Sequence, residues 1–315
     1  MDLDCTLFQK KTEQVVESCS QVIVGKEDKI RLIFTAFLCS GHVLLEDVPG
    51  TGKTMLLRAF AKTVGSGFKR IQFTPDLLPS DLTGINFYNQ KKADFEFRPG
   101  PLFTNMVLAD EINRATPRTQ SSLLEAMEEG QITVDGVTYP MGEPFFVMAT
   151  QNPVESYGTF PLPEAQLDRF FMKLSLGYMT REQEMAVISR EPSAVRLEGL
   201  KPVLSAEELR QMKAEFPKVK VHGDVLGYMM DIVERTRKES RFVTGVSTRG
   251  ALALYKASQV TAACAGRDFV IPEDVILVAP YVLSHRILSR GAESFEDARN
   301  YLKEMMDGIP VPLES

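Results

Sequence analysis

Asp47-Val48-Pro49-Gly50-Thr51-Gly52-Lys53-Thr54 is the stretch on which the reading of this chain turns. An apolar run, His42 to Leu45, precedes it and reads as a strand, while Leu56, Leu57 and Phe60 follow it at helical spacing. The stretch matches the pattern G-x-x-x-x-G-K-[ST], with Asp47 standing in the first glycine position. In such a loop Gly50 and Gly52 let backbone N–H groups curl around phosphate oxygens, at the positive end of the helix that starts there. Lys53 supplies a point charge to β- and γ-phosphates, and Thr54 offers a hydroxyl to Mg²⁺. A glycine turn with an exposed lysine is the bland alternative, and the strand-loop-helix setting speaks against it.

Working outward, Met106-Val107-Leu108-Ala109 reads as a strand that ends in Asp110-Glu111. Paired with the loop above, Asp110 is placed to hold the Mg²⁺ shell and Glu111 to orient and polarise an attacking water. Alone, the two carboxylates would be a solvated strand end. Phe145 to Ala149 is continuous and apolar, like a strand buried on both faces, and it closes on Thr150-Gln151-Asn152-Pro153. Taken alone, Asn152-Pro153 is a turn.

The rest of the first half alternates helix and strand. Ile30, Ile33, Phe34, Phe37 and Leu38 recur at helical spacing, and Ile71-Gln72-Phe73 reads as a strand. A helix from Thr116 to Glu129 has Pro117 in its first turn and stops at Gly130. Gln131 to Tyr139 alternates around Asp135-Gly136, a hairpin signal. Repeated βα units of this kind predict a parallel sheet sandwiched between helices, an α/β fold. After about Glu191 the texture changes: Pro192, Gly199 and Pro202 punctuate a linker-like stretch. Helical periodicity then dominates Ala206 to Phe216, Val225 to Arg237, Thr248 to Ala265, and Pro272 to Leu288 with a kink at Pro280. The expectation is a core over residues 1–190 and a smaller, all-helical domain over 191–315.

Composition narrows the classes. Hydrophobic residues at 44% and charged residues at 25% describe a globular chain. A net charge of -6 and a pI near 5.4 disfavour a surface built to neutralise nucleic-acid phosphates. The acidic start, Met1-Asp2-Leu3-Asp4, lacks a secretory signal, and Ile30 to Leu45 is too interrupted for a membrane span. Cys5, Cys19, Cys39 and Cys264 form no CxxC pair and read as small buried hydrophobes of a reducing cytoplasm. His42, His222 and His285 sit in no metal-ligand spacing and read as structural.

Several segments resemble the MoxR family of bacterial AAA+ ATPases. They are Leu45 to Thr54, Ala109-Asp110-Glu111-Ile112-Asn113-Arg114-Ala115, Leu123-Leu124-Glu125-Ala126-Met127-Glu128-Glu129 and Ala149 to Pro153. Gly158-Thr159-Phe160-Pro161-Leu162-Pro163-Glu164-Ala165-Gln166-Leu167-Asp168-Arg169-Phe170 is similar as well. The resemblance covers most of the chain, and its later segments are far more specific than the phosphate loop. The family tolerates a non-glycine residue at the position of Asp47.

The resemblance implies a P-loop αβα core with a helical lid, binding ATP or ADP with Mg²⁺ and hydrolysing ATP. The nucleotide contacts it implies run over Pro49, Gly50, Thr51, Gly52, Lys53, Thr54 and Met55, with Val24-Gly25 beside adenine. Asn152 falls where AAA+ proteins carry the sensor-1 residue near the γ-phosphate. Arg169 is similar to the arginine finger that enters a neighbouring subunit's site, and Arg249, in Val246-Ser247-Thr248-Arg249-Gly250, looks like sensor 2, reaching from the lid to the γ-phosphate. Taken singly, either arginine reads as a surface residue or a salt-bridge partner. Arg114 follows Asp110 closely enough to face a neighbour.

Two insertions fit the same resemblance: residues 82–101, with Phe87-Tyr88, Lys91-Lys92 and Phe95-Glu96-Phe97, and the hairpin over about 131–144. Their expected roles divide between client contact and packing against the sheet edge or a neighbour. By resemblance the chain forms a homo-oligomeric ring, a hexamer, that matures or activates a separate partner, often a metalloenzyme or a von Willebrand factor A domain protein. The chain carries no D-x-S-x-S motif of its own. The rival readings are a magnesium-chelatase ATPase subunit, a nucleic-acid motor of the MCM-type clade, and a nucleotide-sensing scaffold that does not hydrolyse.

Overall fold

Strand residues alternate between two buried faces, which is why the central sheet must be covered on both sides. The computed structural model describes residues 4–48, 50–152, 158–189, 193–291 and 294–312. The sheet comprises β1 (Val43–Glu46), β2 (Phe68–Gln72), β3 (Met106–Asp110), β4 (Phe146–Gln151) and β5 (Met172–Leu174), all parallel, in the order β2-β3-β4-β1-β5. Val43, Leu45, Leu108, Met148 and Leu174 enter one apolar cluster, and Leu44, Val107, Ala109, Val147 and Ala149 enter the other. Each valine, leucine or methionine among them stabilises the fold by about 1.5–3 kcal/mol on burial.

The first cluster is covered by α1 (Cys5–Ser20), α2 (Glu27–Leu38) and α3 (Lys53–Thr63). Leu123, Leu124, Ala126 and Met127 of α4 (Pro117–Glu129) cover the second. Gly130 stops α4 in the left-handed conformation, φ 61°, as the sequence predicts. The helix α1 was not anticipated. Its buried face, Phe8, Thr12, Val15, Val16 and Cys19, has helical periodicity, and the Asp4 side chain caps it by accepting the Leu7 N–H.

The C-terminal part holds α5 (Ala206–Glu215), α6 (Gly223–Lys238), α7 (Thr248–Cys264), α8 (Pro272–Leu283) and α9 (Phe295–Asp307). These share the first cluster with α1 to α3, so the apolar core runs without a break from Phe8 to Met306. The expected linker is in part a helix, Ser193–Gly199, because Leu197 buries against that core. Pro192 and the expected boundary at 190–191 lie outside the described residues.

The helix expected to reach Leu288 stops at Leu283. His285 and Arg286 turn inward there, both donating to the Phe170 carbonyl, at 2.9 and 2.7 Å. Leu288–Ser289 then pairs antiparallel with Phe242–Thr244, so the C-terminal part is not purely helical.

The two insertions are hairpins: Gly84–Asn89 with Asp94–Pro99, and Gln131–Val134 with Val137–Pro140. Phe97 stacks on Tyr139 with ring centroids 4.2 Å apart, so the hairpins brace each other. No helix among the described residues is long and apolar enough to cross a membrane. The four cysteines are free, and burial pushes the Cys19 thiol up to about 12 and that of Cys264 to about 11, which fits inert packing groups.

Candidate functional site

In a parallel sheet the crevice lies beyond the carboxyl ends of the strands, where the chain's direction of winding reverses. Here β1 lies between β4 and β5, and the loop after β1 opens onto that crevice. Gly50 and Gly52 adopt φ of 86° and 88°, a conformation that favours glycine, and α3 begins immediately at Lys53. Pro49 lies outside the described residues. A cavity of about 410 Å³ is lined by Gly50, Gly52, Lys53, Thr54 and Met55 from the loop and α3, with Asp110, Glu111 and Asn152 from the ends of β3 and β4. The strand ends thus gather residues that are far apart in sequence.

Lys53 donates to the carbonyls of Asp47 and Val48 at 2.9 and 3.1 Å. Burial lowers its pKa, opposed by the nearby Asp47, Asp110 and Glu111. Glu111 occupies left-handed backbone, φ 57°, an uncommon conformation for a side chain of this kind. Its carboxylate accepts from Gln72 at 2.8 Å and from Arg114 at 2.9 Å. Asp110 accepts from Thr150 at 2.6 Å and, in an ion pair, from Arg70 at 2.6 Å.

Arg70, Gln72 and Thr150 are site residues that the sequence reading missed. Arg70 and Gln72 stand two apart on β2, which pairs in register with β3 as Gln72↔Asp110, so both share one face beside the carboxylates. The polar i, i+2 pattern in Phe68-Lys69-Arg70-Ile71-Gln72 was the available signal.

Arg169 and Arg249 are not among the residues lining this cavity. The structure brings them to each other: Arg169 lies 3.2 Å from Glu128, and Arg249 donates to the same carboxylate. Asp168 completes the cluster, 4.0 Å from Arg249 and paired with Arg286. Glu128 lies in the last turn of α4, on a different element from the glycine-rich loop.

Hard oxygen donors suit Mg²⁺, which typically takes one or two protein oxygens and completes its shell with water and phosphate. The hydroxyl of Thr54 and the carboxylate of Asp110, both facing the cavity, fit that donor set. No group of three or more metal-ligating side chains occurs among the described residues.

Comparison with known proteins agrees with this geometry. Residues 42–172 match the model of the ATPase family associated with various cellular activities (AAA), and residues 234–304 match that of the AAA lid domain. The chain is 41% identical to chaperone MoxR1 of Mycobacterium tuberculosis, over 88% of this chain and 75% of that one. It belongs to the MoxR family of AAA+ ATPases. The uncharacterized protein YeaC of Bacillus subtilis is 50% identical over 96% of this chain and 95% of its own length. A crystal structure of a candidate ATPase from Cytophaga hutchinsonii superposes with a TM-score of 0.88 at 37% identity, covering 98% of this chain and 97% of that one. The α/β sandwich with a following lid is therefore the fold of this MoxR-family chain.

Proposed function

We propose that this chain hydrolyses ATP in a homo-oligomeric ring, a hexamer, and uses the cycle to remodel or activate a separate partner protein. The observation that carries the catalytic part is the convergence of Lys53 and Thr54 with Asp110, Glu111 and Asn152 on one cavity. The glycine-rich loop and the N-terminus of α3 would take the phosphates, and Lys53 would leave its resting carbonyl partners for the β- and γ-phosphates. Thr54 and Asp110 would hold Mg²⁺, which would supply charge neutralisation to the phosphates. Glu111, held by Gln72 and Arg114, would orient the water that attacks the γ-phosphorus, releasing ADP and phosphate. Asn152, buried beside the end of β4, would hold the same water. Val24-Gly25 and the backbone around Thr51 and Met55 would complete the nucleotide contacts.

Arg169, held by Glu128 away from the cavity of its own chain, would enter a neighbour's site as the arginine finger, and Arg249 would reach the γ-phosphate from the lid as sensor 2. An arginine supplied in trans can be worth about 10³–10⁵ in rate. The division into an ATPase core, residues 1–190, and a lid, 191–315, is part of this reading, as is a bacterial cytoplasmic setting, which four free thiols suit. A partner-directed role is supported by the chaperone name of the MoxR1 relative and by the insertion hairpin, whose Ile85, Phe87, Tyr88 and Phe95 are exposed. By the family resemblance, a metalloenzyme or a von Willebrand factor A domain protein is the partner class to test.

Steady-state ATP hydrolysis measured over a wide protein concentration range, for wild type and Glu111→Gln, tests the reading. Specific activity that rises with concentration and vanishes in the variant is expected. Wild type that binds ATP with no turnover, at concentrations where it is assembled, would leave a nucleotide-sensing scaffold in its place.

A further inference from the structure

The chain leaving β5 from Ser175 to Tyr178, which leads into the helix Arg181–Ser189, is gripped by two buried side chains, Asp47 after β1 and Lys26 before α2. The Asp47 carboxylate accepts the Ser175 hydroxyl at 3.0 Å and the N–H groups of Leu176 and Gly177 at 2.7 and 2.9 Å. The Lys26 ammonium donates to the carbonyls of Leu176 at 2.6 Å and Tyr178 at 3.2 Å, with Gly177 at a longer 3.5 Å. Lys26 is 6% exposed and Asp47 5%, so both charges have left water. Burying a charge is costly unless its hydrogen bonds are satisfied, and here one tetrapeptide satisfies both. Asp47 takes its N–H groups, and Lys26 takes its carbonyls.

The gripped segment is a wall. Gly177, Tyr178, Met179 and Ile188 line, with Gly50 and Thr51, a second cavity of about 440 Å³. It adjoins the phosphate cavity at Gly50, which lines both. Gly25 closes on the same helix: a Cβ there would lie 2.0 Å from Gln183 Nε2. Asp47 opens the phosphate loop, and Lys26 directly follows Gly25. The non-glycine residue that departs from the general loop pattern therefore has a physical task.

We infer that Lys26 and Asp47 are positioning residues that fix the wall against the nucleoside, so that the phosphate loop and the base-side chamber are set as one unit. The inference rests on the nucleotide reading above. A residue that only holds the fold together would, when lost, weaken every ligand alike. A residue that sets the base-side wall weakens ligands that carry a nucleoside and spares those that do not.

Calorimetric titration of the full chain with ADP and with inorganic tripolyphosphate, for wild type, Lys26→Met and Lys26→Gln, separates the two. Lys26→Met is expected to weaken ADP about tenfold while tripolyphosphate stays within about twofold. Lys26→Gln, whose amide still donates, is expected to recover part of the loss. Unchanged ADP affinity in Lys26→Met, or equal weakening of both ligands, overturns the inference. If Lys26→Met does not fold, Lys26→Gln carries the test with the same two outcomes on a smaller scale. Wild type that binds neither ligand overturns the nucleotide reading itself.

Discussion

The Thr150 hydroxyl donates to Asp110 Oδ1 at 2.6 Å and accepts the Glu111 N–H at 2.8 Å, so one buried side chain fixes both carboxylate positions at the end of β3. Thr150→Val keeps the shape and removes both bonds. It leaves the Glu111 N–H without this acceptor, and the expected loss is about 1–3 kcal/mol of unfolding free energy. Urea denaturation of wild type and variant, with hydrolysis measured in parallel, checks it. Unchanged stability and turnover would show the bridge to be incidental.

Gln72 reaches Glu111 at 2.8 Å from the neighbouring strand and acts on the proposed base only through that contact. Gln72→Ala is expected to cut turnover about tenfold, the worth of one hydrogen bond to a charged group, with ATP binding retained. Glu111→Gln is expected to abolish turnover with binding likewise retained. A Gln72→Ala variant that binds ATP poorly but turns it over normally at saturation would assign Gln72 to binding instead.

His42 offers a pH signature. Its Nδ1 accepts the Val147 N–H at 3.0 Å, and Nε2 faces the Met127 carbonyl at 3.0 Å, an arrangement that needs the neutral ring. Burial lowers its pKa to about 4 from the ordinary 6.5. The unfolded chain thus protonates first, so stability is full above about pH 6.5 and falls as pH drops toward 4. The shift corresponds to roughly 3 kcal/mol across that window. His42→Gln should flatten the slope of unfolding free energy between pH 6.5 and 4.5. His285, also lowered by burial, stays in both proteins and cancels. Parallel slopes would contradict the assignment.

The sheet and the glycine-rich loop were legible because both depend on local pattern. Continuous apolar runs mark buried strands, and Gly50-Thr51-Gly52-Lys53-Thr54 carries its own backbone requirements. Partners across the sheet were not legible. Gln72 meets Asp110 only through strand register, and Arg169 meets Arg249 only where the end of α4 presents Glu128 to both. The early end of α8 had the same origin, since His285 and Arg286 find the Phe170 carbonyl more than a hundred residues away. The helix α1 has clear helical periodicity in Phe8, Thr12, Val15, Val16 and Cys19 but carries no chemical motif to single it out.

A hydrolytic site completed by a neighbour is tested most directly by mixing two inactive variants. Lys53→Ala lacks its own phosphate lysine but keeps Arg169, while Arg169→Ala keeps the lysine and lacks the finger. Each alone should turn over negligible ATP. Mixed under conditions where subunits exchange, they form interfaces that pair an intact Lys53 with an intact Arg169, and turnover should reappear at a sizeable fraction of wild type. A well-exchanged mixture no more active than its parts would place Arg169 in its own chain's site, or outside the chemistry altogether.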